Sequence, residues 1–187
     1  FHRRLKAAFE RLWRTGEIIQ ERPDVRSEVR NSLYYLRHVF PDVVESLDLR
    51  FQHSWRSAFG TSPPPLPGLS FGSWVGGDRD GHPFVTPEVT SLTLSLLRDG
   101  AMDLLRERLR GAAVRLSLAA PAGYSLEGLS RRIEESRGML GEAAAPAIQR
   151  NQREPWRQFI NLMLLRLERA AEPVPGGGAY GSPEELI

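Results

Sequence analysis

Apolar residues recur along this chain mainly at spacings of three and four, the period of a helix with one buried face. Over residues 2–20, Leu5, Phe9, Leu12 and Trp13 form such a stripe, with arginines on the opposite face. A second helix is predicted over 24–39 from Val25, Val29, Leu33, Leu36 and Val39, with Pro23 just ahead of its first turn. A third begins near Pro41 and carries Val44, Leu47, Phe51, Trp55 and Phe59. The aromatic residues at helical spacing, Phe9, Trp13, Phe51, Trp55 and Phe59, are expected in the core.

The helical pattern stops at residues 61–68, T-S-P-P-P-L-P-G, because consecutive prolines remove backbone donors and lock extended or turn geometry. This stretch reads as a connector. Residues 69–75, bounded by Gly68 and Gly76 and carrying Phe71, Trp74 and Val75, are the best strand candidate. Thr86 then offers a capping hydroxyl, Pro87 suits the first helical position, and Glu88 complements the positive end of the helix dipole. A long helix follows to about residue 116, although Gly100 costs its middle about 1 kcal/mol relative to alanine. Ser125 is read as the cap of a helix to about 140, and Pro155 opens a last one through Ala171. The segment 172–182, with P-V-P-G-G-G inside it, reads as a flexible exit. The predicted fold class is mainly α, with one short strand at about 69–75.

Composition changes this picture little. The 187 residues carry a formal charge of +2, yet 24 of the 25 basic residues are arginine, Lys6 being the only lysine. Arginine binds carboxylate and phosphate through a rigid fork, so an arginine-rich helical module for an anionic partner or RNA is one reading. The small net charge argues against nucleic acid as the partner. With no cysteine, disulfides and thiol chemistry are excluded, and a reducing compartment fits. No apolar run approaches the roughly 20 residues that span a bilayer, and no signal-peptide core precedes the first helix. A cytoplasmic protein without a membrane partner is expected. The chain starts at Phe1 and stops in P-E-E-L-I, which resembles a new helix start, and it reads as one fragment, 1–187, of something longer.

Residues 71–86, F-G-S-W-V-G-G-D-R-D-G-H-P-F-V-T, concentrate the candidate chemistry. A calcium loop with Gly81 at its sixth position would need ligands at Gly76 and Pro87, so the register fails. A phosphate loop needs a lysine after its last glycine, and the dinucleotide pattern G-x-G-x-x-G is absent. Asp78 and Asp80 match the Asp-x-Asp of metal-dependent sugar transferases, but so short a motif equally describes a tight turn in which aspartates bond backbone amides. None of His2, His38, His53 and His82 has a second ligand at metal spacing, and no Gly-x-Ser-x-Gly elbow occurs. What remains is a strand delivering Trp74, a turn of Gly76, Gly77, Asp78, Arg79, Asp80 and Gly81, and a helix N-terminus. In barrel proteins this order places a loop where anions meet backbone amides.

Extended to residue 90, the stretch resembles the F-[TG]-[ST]-W-[MIV]-G-G-D-R-D-G-N-P-x-V-T motif of phosphoenolpyruvate carboxylase. L-W-R-T-G-E-I at 12–18 is similar to the family's L-W-x-T-D-E-I, E-P-W-R at 154–157 to its E-P-Y-R helix start, and Y-G-S-P-E-E-L at 180–186 to a later family segment. The resemblance implies a large, mostly helical enzyme around an eight-stranded β/α-barrel. Such an enzyme joins phosphoenolpyruvate to bicarbonate, giving oxaloacetate and phosphate, requires Mg2+ or Mn2+, and assembles as a homotetramer. It implies that residues 71–75 are a barrel strand and that Trp74 lines the hydrophobic pocket beside the bicarbonate or carbon dioxide site. For Gly76, Gly77, Asp78, Arg79, Asp80 and Gly81 it implies a supporting loop, with no metal ligand and no catalytic residue in this fragment. His82 stands where the family has Asn, and Gly16 where Asp is common. The family's T-A-H-P-T-E and H-G-R-G-G segments fall outside these residues, so the fragment alone is expected to be inactive.

Overall fold

The computed structural model describes residues 2–14, 24–80, 82–121, 123, 125–172 and 177–186. Seven α-helices occur among them: α1 (His2–Arg14), α2 (Val25–His38), α3 (Phe40–Phe59), α4 (Pro87–Arg115), α5 (Glu127–Leu140), α6 (Ala145–Arg150) and α7 (Pro155–Ala170). Two 3₁₀ turns, Gly141–Ala144 and Pro183–Leu186, complete the regular structure. The expected extension of the first helix to residue 20, with Gly16, lies outside the described residues, as does Gly81.

Helix α4 is the spine. Its start follows from local chemistry: the Val89 N–H donates to Thr86 Oγ1 at 3.4 Å, and Pro87 occupies the first turn, where a missing donor costs nothing. One side of α4 packs on α2 and the other on α7. Gly100, a liability by helix propensity, is buried at the α2 crossing, where an added Cβ would sit 2.6 Å from Leu33 Cδ1. The glycine therefore exchanges some helix stability for a closer approach of the two backbones. Ion pairs flank the crossing. Asp103 pairs with Arg37 at 3.5 Å and with Arg106 at 3.0 Å, while Arg108 reaches Asp42 and Glu45 on α3. Such part-exposed pairs contribute on the order of 0–1 kcal/mol each and mainly set orientation.

The core lies between α5, α6 and α7, where Ile133, Leu140, Ala144, Ala147 and Leu162 close on one another. The alanine-rich segment 143–147 makes this possible, since small side chains let the 3₁₀ turn and α6 approach α7. The sequence reading assigned no element there. Two side-chain amides close the corner: Asn151 Nδ2 donates to the Ala147 carbonyl at 3.0 Å, and Gln158 Nε2 to that of Ile148 at 3.2 Å. At this same end of α7, Glu154 accepts from Ser117 Oγ at 2.8 Å, and Arg157 donates to the same hydroxyl at 3.0 Å. This small network ties the end of α4 to the start of α7. From α7, the Arg166 guanidinium reaches the segment that follows, lying 3.9 Å from the centre of the Tyr180 ring and donating to the Gly178 carbonyl at 3.0 Å. Burial pushes the Tyr180 phenol up, with Arg166 opposing.

Three expectations are corrected. Residues 69–74 are irregular and 75–77 form a turn, so no strand exists among the described residues. A strand is defined by its ladder, and no described residue pairs with this segment. The aromatic stripes are not core: Phe9, Trp13 and Phe59 are 62%, 91% and 63% exposed. Along α3 the rings pack on one another instead, Trp55 and Phe59 at 4.5 Å between centroids, with Trp55 Nε1 donating to Thr61 Oγ1 at 3.2 Å. Finally, α5 starts at Glu127, and its cap residue Leu126 makes no side-chain capping bond, so Ser125 is not the cap. No helix among the described residues is long and apolar enough to cross a membrane.

Helix α2 carries a titratable cap. The Ser27 N–H donates to Asp24 Oδ1 at 2.8 Å, and hydrogen bonding from Ser27 holds the Asp24 carboxyl below its ordinary range. Because the folded value is the lower one, this cap stabilises fully above the unfolded pKa and is lost as pH falls through the folded value. Acidification through that window is expected to lower amide-exchange protection at Ser27. Asp24→Asn, which caps without titrating, should hold protection constant there.

Candidate functional site

The segment from Phe71 to Thr86 crosses from the end of the proline-rich stretch to the start of α4, and contacts with α3 and α4 hold it in place. Phe71 stacks on Phe40 at the start of α3, centroids 4.3 Å apart and planes 20° from parallel. Within the segment, the Val75 N–H donates to Ser73 Oγ at 3.2 Å. The Trp74 carbonyl accepts from the N–H groups of both Gly77 and Asp78 at 3.0 Å. This tight turn requires a left-handed residue, and Gly76 supplies it at φ 75°. Gly76 is also buried, with an added Cβ falling 2.1 Å from Thr93 Oγ1 on α4. Gly77 differs, since the nearest atom to an added Cβ would be the Trp74 carbonyl oxygen at 3.7 Å, an ordinary contact. Between the Phe71 stack and the Gly76 seat, Trp74 presents an indole that is 78% exposed. It borders a cleft of about 260 Å³ lined also by Tyr35, Leu36, Phe40, Ser73 and Val75.

The charged residues that follow are engaged with the backbone and with α4. Asp78 Oδ1 accepts from the Asp80 N–H at 3.1 Å, the aspartate turn that spacing allowed. Arg79 Nη2 donates to Thr90 Oγ1 at 3.4 Å, and the Thr90 hydroxyl donates to the Thr86 carbonyl at 3.2 Å. Glu88 is held below the ordinary carboxylate range by its hydrogen bond with Thr86, with Arg79 adding a smaller electrostatic pull. His82 packs edge-on against Phe84, centroids 6.0 Å apart, and its carbonyl accepts from the Val85 N–H at 3.1 Å. The loop is thus ordered by internal bonds and by the threonines of α4.

Chemically, the arrangement offers an exposed apolar surface at Trp74. Among the described residues no group of three or more histidines, aspartates and glutamates is placed to hold a metal ion, and one Asp78 oxygen already serves the Asp80 amide. The described residues of this loop therefore do not fit a divalent cation. Of the arginines, Arg37, Arg106, Arg108, Arg110, Arg157 and Arg166 are paired with carboxylates within the chain. Trp74, Gly76, Gly77, Asp78, Arg79 and Asp80 lie together in this one loop. Sequence reasoning missed Phe40 and Thr93, which hold it. The glycine pattern signals a buried or left-handed turn, but nothing in it says which helix the turn rests on.

A family model described as phosphoenolpyruvate carboxylase matches residues 1–179. Among curated proteins, the chain is 33% identical over 161 residues to the phosphoenolpyruvate carboxylase of Trichormus variabilis, covering 86% of this chain and 16% of that protein. To the enzyme of the same name from Xanthomonas euvesicatoria it is 32% identical over 184 residues, 98% of this chain and 20% of the relative. To that from Thermus thermophilus it is 31% identical over 173 residues, 92% and 19%. The chain thus spans a fifth or less of the length of these relatives. No solved structure matches it.

Proposed function

Since this chain belongs to the phosphoenolpyruvate carboxylase family, we propose that it forms one wall of the bicarbonate or carbon dioxide pocket of a complete carboxylase, with Trp74 as the wall's apolar surface. The complete enzyme converts phosphoenolpyruvate and bicarbonate to oxaloacetate and phosphate. The observation that carries this reading is the 78% exposed indole of Trp74 on a turn held by its own hydrogen bonds and a buried glycine. A large apolar side chain left uncovered on an ordered loop is suited to face a partner surface or a ligand, and burying it there offsets its exposure here.

Transfer of phosphate to bicarbonate leaves an enolate and a carboxyphosphate, both of which water or stray protons destroy. An indole packed against that pocket keeps water from the reacting carbon without adding a group that reacts. Asp78, Arg79 and Asp80 order the loop, as their bonds to Asp80, Thr90 and the loop backbone already do. Residues 69–75 pair as one strand of the eight-stranded β/α-barrel in the complete enzyme, where neighbouring strands supply the absent ladder. Residues 61–68 are the connector into that strand, and 172–182 a flexible link out of the fragment. Magnesium or manganese, which stabilises the developing enolate charge, is held elsewhere in the complete enzyme. The isolated chain is therefore inactive, and the complete protein acts in the cytoplasm as a homotetramer.

In the complete enzyme, Trp74→Ala is expected to lower kcat/KM for bicarbonate by about tenfold or more, roughly 1.4 kcal/mol of lost stabilisation. Trp74→Phe should keep most of it. Steady-state kinetics with bicarbonate as the varied substrate decide the matter, and turnover matching wild type in Trp74→Ala would take Trp74 out of the pocket.

A further inference from the structure

Thr93 lies one turn and a half into α4, buried and 5% exposed, with no charge and no place in any motif quoted above. Its hydroxyl donates to the Val89 carbonyl at 2.8 Å, and this bond fixes the side-chain rotamer. The fixed oxygen then occupies the space that a Cβ at Gly76 would need, 2.1 Å from that position, with Thr93 Cβ and Cγ2 each at 3.1 Å. Gly76 is the middle of the turn that closes directly on the Trp74 carbonyl, so its seat on α4 sets the height of the whole turn. Two turns of α4 thus meet the loop twice: Thr93 under Gly76, and Thr90 holding Arg79 at 3.4 Å. On the other side, the stack of Phe71 on Phe40 fixes where the segment enters.

We infer that Thr93 is a positioning residue: it seats Gly76 and thereby sets the depth to which Trp74 reaches into the pocket. The inference rests on the pocket reading of Trp74 given above. Thr93 itself lies beneath the turn, so its substitution acts through Trp74. A one-ångström misplacement of a positioning contact is known to cost up to about a hundredfold in rate, which makes a seat of this kind kinetically visible.

The test uses the complete carboxylase carrying Thr93→Leu, which lifts the turn, Thr93→Ala, which empties the seat without a clash, and Thr93→Ser, which keeps the hydroxyl. Trp74→Ala is the reference. Thr93→Leu is expected to raise KM for bicarbonate at least about fivefold, with KM for phosphoenolpyruvate within about twofold of wild type. Thr93→Ala should shift the same constant in the same direction, and Thr93→Ser should restore wild-type values. If Thr93→Leu does not fold, Thr93→Ala against Thr93→Ser carries the comparison. A Thr93 series that lowers the melting temperature while leaving kcat/KM for both substrates unchanged would overturn the inference, provided Trp74→Ala does lower kcat/KM for bicarbonate. If Trp74→Ala leaves kcat/KM for bicarbonate at the wild-type value, the pocket reading itself falls, and the positioning role falls with it.

Discussion

Leu162→Ala should be the most destabilising single truncation among the described residues, costing about 3–4 kcal/mol in urea unfolding. Among the described residues, Leu162 is the one large side chain with no exposure, at 0%. It sits where α7 meets α5 and α6, among Ile133, Leu140, Ala144 and Ala147. Two of those neighbours are alanines, with no rotamer freedom to refill the space, so the cavity would stay open rather than collapse. Truncation therefore loses both the transfer free energy of the removed carbons and the contacts of the lining atoms. Leu162→Met, which nearly conserves volume, should cost less than about 1.5 kcal/mol. Equal losses in the two variants would show that this cluster is not the centre of the fold.

The second large effect is expected at Gly76. Gly76→Ala should destabilise by about 2–5 kcal/mol, because two independent costs add. A left-handed backbone costs an alanine about 1–2 kcal/mol, and forcing a methyl into a filled site costs about 1–3 kcal/mol. Both conditions hold, φ being 75° and the added carbon falling 2.1 Å from Thr93 Oγ1. That oxygen cannot easily move away, because its bond to the Val89 carbonyl holds it. Gly77→Ala is the internal control, since its nearest contact would be at 3.7 Å, and it should leave the unfolding midpoint within about 0.5 kcal/mol of wild type. A small effect at Gly76 would mean that the turn can lift off α4 at little cost, which would also weaken the role assigned to Thr93.

The helices were legible because their signals are local. The boundaries of α4 follow from Thr86, Pro87 and the apolar period, and those of α7 from Pro155 and the loss of pattern after Ala171. The Gly141–Ala144 turn and α6 were not legible, because alanine carries no periodic contrast between faces and the pair exists only as a close approach to α7. The strand at 69–75 was read from composition alone. β-branched and aromatic residues between glycines describe a segment able to pair, but pairing itself needs a neighbouring strand, and none occurs among the described residues. The aromatic stripes of α1 and α3 were legible as amphipathic faces and misread as core. Periodicity tells which residues share a face, and only the packing of the remaining elements tells whether that face is covered.

The candidate site divides the same way. Trp74, the glycines and the two aspartates were all visible in one run of sequence, and the aspartate turn was readable from the spacing of Asp78 and Asp80. Phe40 lies 31 positions before Phe71, and Thr93 lies 17 after Gly76, counted along the chain. No local rule connects residues so far apart. By itself, then, the sequence determined the longer helices, the Thr86 cap of α4, the need for a left-handed glycine near Trp74 and the family to which the chain belongs, since each rests on neighbours in the chain or on a long run of residues. The tertiary structure alone decided that Gly100 is a crossing point, that Leu162 is the centre of the core, and that Thr93 and Phe40 hold the Trp74 turn. These depend on distances between elements, which excluded volume sets only once the helices have packed.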